Sequence, residues 1–225
     1  MNKKSKRILV GKKILVTAGP TWVAIDRVRV LGSIFTGRTG CVIARKACDM
    51  GAQVKVLLGP GSFVPTPAFE KKIEVVRFHY FEELLSLMRR EIASGKYDAV
   101  IHSAAVADYT PENKSNAKIP SGKSRLTLKL KPTVKIIQKI KQWGPGTFLV
   151  QFKLEVDSKE EELINIGYKS MLKNQADIVV VNDLNEMSRS RHGAFIVDQQ
   201  RRIIRVATRE GLAAKLLEII AGKVK

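Results

Sequence analysis

The 225-residue sequence predicts an α/β fold built on a doubly wound, mostly parallel sheet. Three observations carry this. Short β-branched runs alternate with amphipathic stretches of helical spacing. The runs are too apolar to be half-exposed strands, so they are expected to be covered on both faces. The turns after them are rich in Gly, Pro, Ser and Ala, which suits loops at the carboxyl ends of parallel strands, where such sheets bind ligands.

Lys13-Ile14-Leu15-Val16-Thr17 is expected as the first strand, running into the turn Ala18-Gly19-Pro20-Thr21. A second glycine group, Gly32 to Gly40, precedes a helix over Cys41–Met50, with Gly51 just past its end. Val54–Leu58 is the next strand, ended by Gly59-Pro60-Gly61, which completes a βαβ unit. Lys72–Arg77 is a third strand and Phe81–Ser94 an amphipathic helix with Leu84, Leu85, Leu87, Met88 and Ile92 inward. Tyr97–Ser103 is a fourth strand, leading into Ala104-Ala105-Val106-Ala107-Asp108-Tyr109.

The character then changes. Thr110–Ser124 is polar and expected as a mobile loop, and Leu126–Leu130 alternates as a strand. Val134–Trp143 is a short basic helix, Thr147–Phe152 a strand, Glu160–Asn174 a helix and Ile178–Val181 a buried strand ending in Asn182-Asp183. Ala194–Val197 and Arg202–Val206 bracket Asp198-Gln199-Gln200 and predict a C-terminal β-hairpin. Leu212–Ala221 closes the chain as a helix. Residues 1–12 are expected as a flexible basic tail and 13–225 as a single domain.

Forty Lys and Arg against 21 Asp and Glu leave a net charge of +19. The excess is local. Residues 1–13 hold six basic groups and residues 114–141 hold nine, with no acid in either, which leaves +4 over the rest. A polyanion partner is one reading of such an excess. Aromatics are only 6%, and no helix-turn-helix or RNA-binding signature appears, so nucleic acid is disfavoured. No apolar run approaches the ~20 residues that cross a bilayer, and the apolar stretch behind the basic N-terminus is too short for a secretory signal. Cys41 and Cys48 have neither disulfide-framework nor zinc spacing and fit a reducing cytosol. His79, His102 and His192 show no metal spacing, and core or loop roles are expected for them.

Two turns can carry chemistry. Gly37-Arg38-Thr39-Gly40 opens a helix, where N–H groups and the helix dipole favour phosphate; a tight helix start needing small residues is the alternative. Ser103–Asp108 lets a ligand approach the backbone, and Asp108 can accept hydrogen bonds from a ribose or base; an N-cap or solvated turn acid is the alternative. Lys118, Lys123, Arg125, Lys129 and Lys131 form a basic stretch, and Lys169 and Lys173 share a helix face; a triphosphate or plain solvation accounts for either. Taken alone, these features imply a cytosolic protein that binds phosphorylated small molecules.

Taken in order along the chain, the segments resemble the phosphopantothenoylcysteine synthetase family. The matching stretches are Ile14–Thr21, Ile25-Asp26-Arg27-Val28-Arg29, Gly37–Gly40 with Gly51-Ala52, Ile101–Tyr109, Ala117-Lys118-Ile119, Phe152-Lys153-Leu154-Glu155, Lys173–Asp177 and Asn182-Asp183. The resemblance covers about residues 13–220 and is to the stand-alone bacterial form, so no flavin is expected. It implies a Rossmann-like fold and a homodimer in the cytoplasm. It also implies a ligase that activates 4′-phosphopantothenate as an acyl-cytidylate, with CTP (or ATP) and Mg²⁺, before cysteine displaces CMP.

The resemblance assigns nucleotide binding to Ser103, Ala104, Asp108, Lys118, Val134, Phe152, Lys169 and Lys173, and phosphopantothenate binding to Gly19, Gly37, Gly40 and Asn182. Lys118 is also assigned catalysis, and Ser33 stands where the family's catalytic asparagine is usual. No residue is assigned to a metal. Where the family reads Ser-Asn-x-Ser-Ser/Thr-Gly, this chain reads Gly32-Ser33-Ile34-Phe35-Thr36-Gly37. A serine hydroxyl offers one donor where an amide offers two, and Phe35 cannot donate to phosphate. The implied alternatives are a weakened or retuned nucleotide-binding relative or, motivated only by the charge, a nucleic-acid-binding protein.

Overall fold

The computed structural model describes residues 7–61, 63–122, 124–187 and 192–224. Lys123 and residues 1–6 of the expected tail lie outside the described residues. The chain is mixed α/β around an eight-stranded sheet.

β1 (Lys13–Ala18) leads to a short ribbon, β2 (Val23–Ala24) with β3 (Val30–Leu31), and then α1 (Arg38–Asp49), β4 (Gln53–Leu58), a single helical turn α2 (Pro67–Glu70) and β5 (Glu74–Arg77). α3 (Phe81–Ala93) and β6 (Ala99–His102) follow, then a second ribbon, β7 (Tyr109–Pro111) with β8 (Leu130–Pro132), and α4 (Ile136–Trp143). β9 (Phe148–Glu155), α5 (Glu160–Lys173), β10 (Ile178–Asp183), the hairpin β11 (Ala194–Asp198) and β12 (Ile203–Val206), and α6 (Arg209–Lys223) complete it.

The sheet order is β12-β11-β10-β9-β6-β1-β4-β5. All neighbours run parallel except at β10–β11 and β11–β12. Successive crossovers go from β1 outward to β5, then return to the other side of β1 at β6. The topological switch point therefore lies between β1 and β6.

Alternation along each buried strand decides which helices it meets. Ile14, Val16, Val56, Ile101, Val150 and Val180 pack with α1 and α6 through Ile43, Ala44, Ala47, Leu212 and Leu216. Leu15, Leu57, Val100, Leu149 and Val179 face α3, α4 and α5 through Phe81, Leu84, Met88, Ile136, Ile140 and Met171. Both faces are covered, as the apolar runs require.

Several boundaries differ from the sequence expectation. Ile8–Gly11 form a turn, not a free tail: Leu9 is fully buried and donates its N–H to the Met50 carbonyl at 3.0 Å. The basic residues around Leu9 mask an apolar anchor. Of the alternating Leu126–Leu130, only Leu130 joins a strand, as the first residue of β8. Leu126 is 49% exposed, and the ladder partner Tyr109–Pro111 pairs with Leu130–Pro132 instead. Alternation needs a sheet face to bury it, and none adjoins those leucines. α4 starts at Ile136, leaving Val134 in the connection.

Candidate functional site

At the switch point the turn after β1 and the turn after β6 are laced together. Thr17 Oγ1 accepts the Ala104 N–H at 3.1 Å and lies 2.9 Å from His102 Nδ1. Ser103 Oγ donates to the Thr17 carbonyl at 2.6 Å. Ala105 N–H donates to the Gly19 carbonyl (3.0 Å), Thr21 N–H to the Ala105 carbonyl (3.1 Å), and Ala107 N–H to Thr21 Oγ1 (2.8 Å). Thr133 N–H then closes on the Asp108 carbonyl at 2.9 Å and its hydroxyl on the Ala107 carbonyl at 2.6 Å. Backbone groups that parallel strands leave unpaired at their ends are thus satisfied by the opposite turn.

α1 is pressed against this lacing by two glycines. Gly37 caps the helix at φ +82°, a conformation costly for other residues. A Cβ on Gly40 would stand 2.6 Å from Ser103 Oγ and 2.7 Å from the Ala18 Cβ, so only glycine lets the helix start reach the two turns. The N-terminal end of α1 therefore points into the crevice, with its dipole favouring an anion there.

The crevice is a cavity of about 1390 Å³. It is lined by eleven of the sequence-expected residues: Gly19, Ser33, Gly37, Gly40, Ser103, Ala104, Asp108, Val134, Phe152, Lys173 and Asn182. Phe35 lines it beside Ser33. Two expected residues are not brought to the wall. Lys118 is exposed on the 112–129 loop, and Lys169 is exposed on α5, one turn before Lys173. A shared helix face placed both lysines on one side of α5, but only its last turn reaches the crevice. Asp108 is ion-paired to Lys135, so its carboxylate is already partnered.

Several wall residues escaped the sequence reading. Gln151 Nε2 donates to Ser170 Oγ at 3.1 Å, and Asn174 Nδ2 donates to Gln151 Oε1 at 2.8 Å, which ties α5 to β9 beside Lys173. Arg209, the first residue of α6, lines the same cavity, as does Arg38 of the Gly37–Gly40 turn. Of the histidines assigned core or loop roles, His102 and His192 both line it. Burial lowers the pKa of each to about 4, with the Arg209 charge adding to the effect at His192. His192 is 1% exposed, and its Nδ1 has no hydrogen-bond partner among the described residues. Its Nε2 lies 3.4 Å from Asn182 Nδ2, which donates to the Gly193 carbonyl at 3.0 Å. These positions lack a recognisable sequence spacing, because elements far apart along the chain bring them together.

Asp108 is the one carboxylate on the described cavity wall, and no described cluster of three or more His, Cys, Asp or Glu could hold a metal. A divalent cation with phosphate would fit this wall as a companion of the ligand, its oxygens coming from phosphates and water. Among the described residues, no helix is long and apolar enough to cross a membrane.

Sheet order, switch-point crevice and glycine-opened helix define a Rossmann-like α/β protein. The chain belongs to the family of the DNA/pantothenate metabolism flavoprotein C-terminal domain, whose model matches residues 9–223. It is 37% identical, over 98% of its length, to the coenzyme A biosynthesis bifunctional protein CoaBC of Thermococcus kodakarensis, and 30% identical over 96% to that of Bacillus subtilis. It spans about half the length of these relatives, 53% of each. A crystal structure of the DNA/pantothenate metabolism flavoprotein from Streptococcus pneumoniae superposes with a TM-score of 0.84 at 35% identity, covering 94% of this chain and 99% of that one. The C-terminal domain of a CoaBC protein gives 0.79 at 25% identity, covering 96% and 97%.

Proposed function

We propose that this chain joins 4′-phosphopantothenate to L-cysteine in coenzyme A biosynthesis, through an acyl-cytidylate made from CTP. The observation that carries the reading is the junction of two features in one crevice: the small-residue Ser103–Asp108 turn, which a ligand can approach closely, and the N-terminus of α1, whose dipole favours an anion. A nucleotide and a phosphorylated acid have to meet for this chemistry, and the switch point offers each a wall. The CoaBC names of the relatives point to the same pathway.

In this reading the phosphopantothenate carboxylate attacks the α-phosphorus of CTP and pyrophosphate leaves. The cysteine amine then attacks the acyl carbon, CMP leaves, and the amine loses a proton. Ser103 and Ala104 hold the nucleotide by backbone approach, Asp108 accepts from its ribose or base, and Val134 and Phe152 flank it. Lys118, Lys169 and Lys173 offset phosphate charge. Gly19, Gly37 and Gly40 let the substrate phosphate reach main-chain N–H groups, with Asn182 beside it. Mg²⁺ bound to the triphosphate would neutralise charge on the leaving pyrophosphate. A homodimer is part of the same proposal.

The test is pyrophosphate release from CTP and from ATP, side by side, with phosphopantothenate and Mg²⁺, followed by cysteine-dependent product. No turnover with either nucleotide overturns the ligase.

A second reading is favoured by Ser33 and Phe35, which line the crevice where the family pattern places asparagine and serine. It predicts nucleotide binding by calorimetry without ligation, and turnover gained in a Ser33→Asn/Phe35→Ser variant.

A further inference from the structure

The turn between β2 and β3 carries a carboxylate with two separate duties. Asp26 Oδ1 accepts the N–H groups of Val28 (2.8 Å) and Arg29 (2.7 Å), closing the turn on itself. Asp26 Oδ2 faces the other way. It accepts the Ile119 N–H at 3.0 Å and the Arg29 guanidinium, and that same guanidinium nitrogen donates to the Ile119 carbonyl at 3.1 Å. Both backbone groups of Ile119 are thereby held by one ion pair, 90 residues or more away in sequence. A further tie lies four residues earlier, where Ser115 N–H donates to the Ile25 carbonyl at 3.1 Å.

The Asp26 side chain is fully buried. Burial alone raises its pKa, but the Ile119, Val28 and Arg29 N–H groups and the Arg29 guanidinium outweigh it and hold the carboxyl well below the usual carboxylate range. A buried charge so fully partnered is a rigid point in an otherwise exposed region.

What the clip joins is specific. Ile119 follows Lys118 on the 112–129 loop, whose base closes where Glu112 N–H meets the Lys129 carbonyl at 2.9 Å. On its other side the turn runs through β3 directly into Gly32–Thr36, which lines the crevice.

We propose that Asp26 and Arg29 are positioning residues that fix the 112–129 loop at Ile119, set where the neighbouring Lys118 stands, and tie that lysine to the Gly32–Thr36 wall of the crevice. The role of Lys118 in this proposal rests on the nucleotide-dependent reading above; the clip itself does not.

The two oxygens of Asp26 make the proposal separable from a general loss of fold. In Asp26→Asn one oxygen becomes an amide donor, so one pair of facing donors loses its acceptor. Ile119→Pro removes the donor from the loop side and leaves the 25–29 turn whole; Pro120 already restricts residue 119 to extended backbone that a proline can adopt. Three measurements are made on the full chain: melting by circular dichroism, trypsin cleavage after Lys114 and Arg125 without ligand (the bond after Lys118 is left out because trypsin does not cut before proline, as in Ile119→Pro), and CTP affinity by calorimetry. Both variants are expected to melt cooperatively, to be cut in the loop about tenfold faster, and to bind CTP about tenfold more weakly, as loss of charge-assisted hydrogen bonds implies. Either change added to Lys118→Gln is expected to weaken CTP binding by less than about twofold further, because a positioning residue acts through its partner.

Unchanged cleavage in both variants overturns the clip. Faster cleavage with unchanged CTP affinity, or full additivity with Lys118→Gln, overturns the positioning role. If the unaltered chain binds no nucleotide, the functional reading fails and the role of Lys118 with it, while the cleavage rates still decide the clip.

Discussion

Ser103 Oγ donates to the Thr17 carbonyl at 2.6 Å, joining two turns that lie 86 residues apart. With Thr17 Oγ1 accepting the Ala104 N–H and lying 2.9 Å from His102, one threonine organises the floor of the crevice. Thr17→Val keeps the shape and removes the hydroxyl, leaving the Ala104 N–H without its acceptor. The expected cost is about 1–3 kcal/mol in denaturant unfolding, together with weaker nucleotide binding. A loss below about 0.5 kcal/mol would show that water replaces the hydroxyl.

Gly40→Ala tests the close approach of α1. Its new methyl would press on Ser103 Oγ and Ala18, both in a rigid sheet end. Overpacking of this kind costs about 1–3 kcal/mol, or a melting temperature lower by several degrees in a domain of this size. Activity is expected to fall further than stability, because the displaced atom is Ser103. An unchanged melting curve would count against the packing described.

Lys173 and Lys169 should behave differently although they share a helix. Lys173 lines the crevice and Lys169 does not. Lys173→Ala is expected to raise the KM for the nucleotide about tenfold, and Lys169→Ala by less than about twofold. Equal effects would mean that the ligand extends beyond the crevice wall and restores the symmetrical assignment.

Acid should destabilise the fold before carboxylates titrate. His102 and His192 are neutral when buried, with pKa values lowered to about 4 against about 6.5 in the unfolded chain. Their folded pKa values lie below the unfolded ones, so the unfolded state binds more protons between pH 6.5 and 4. Their stability contribution is therefore complete above pH 6.5 and lost progressively as pH falls to 4. Urea midpoints measured from pH 7.5 to 4.5 should fall, with a shallower fall in His102→Gln. A flat profile above pH 5 would contradict the burial of both imidazoles.

Much of the fold was legible because each local signal had one cause. Buried parallel strands have to be apolar on both faces, so Ile14–Val16 and Val179–Val181 announce themselves without context. Gly37 and Gly51, just outside the ends of α1, sit at positive φ, as their places imply. Leu126–Leu130 misled because alternation describes a strand only where another strand and a core adjoin it. Leu9 was hidden in a run of charge. Of the crevice, the glycine turns and the Ser103–Asp108 segment were visible because small residues cluster there in sequence. Gln151, Asn174, His192 and Arg209 were not, since each is ordinary in its own segment.

The sequence by itself determined the class of fold, the order of its main elements and the two small-residue turns. These depend on hydrophobic period and backbone freedom, which are properties of neighbours along the chain. Only the tertiary structure decided that both turns meet at the β1–β6 switch point, that Lys173 and not Lys169 reaches it, and that the loop of Lys118 is held by Asp26. Those facts follow from sheet order, which is set by how distant strands bury their faces together, and no local pattern encodes that.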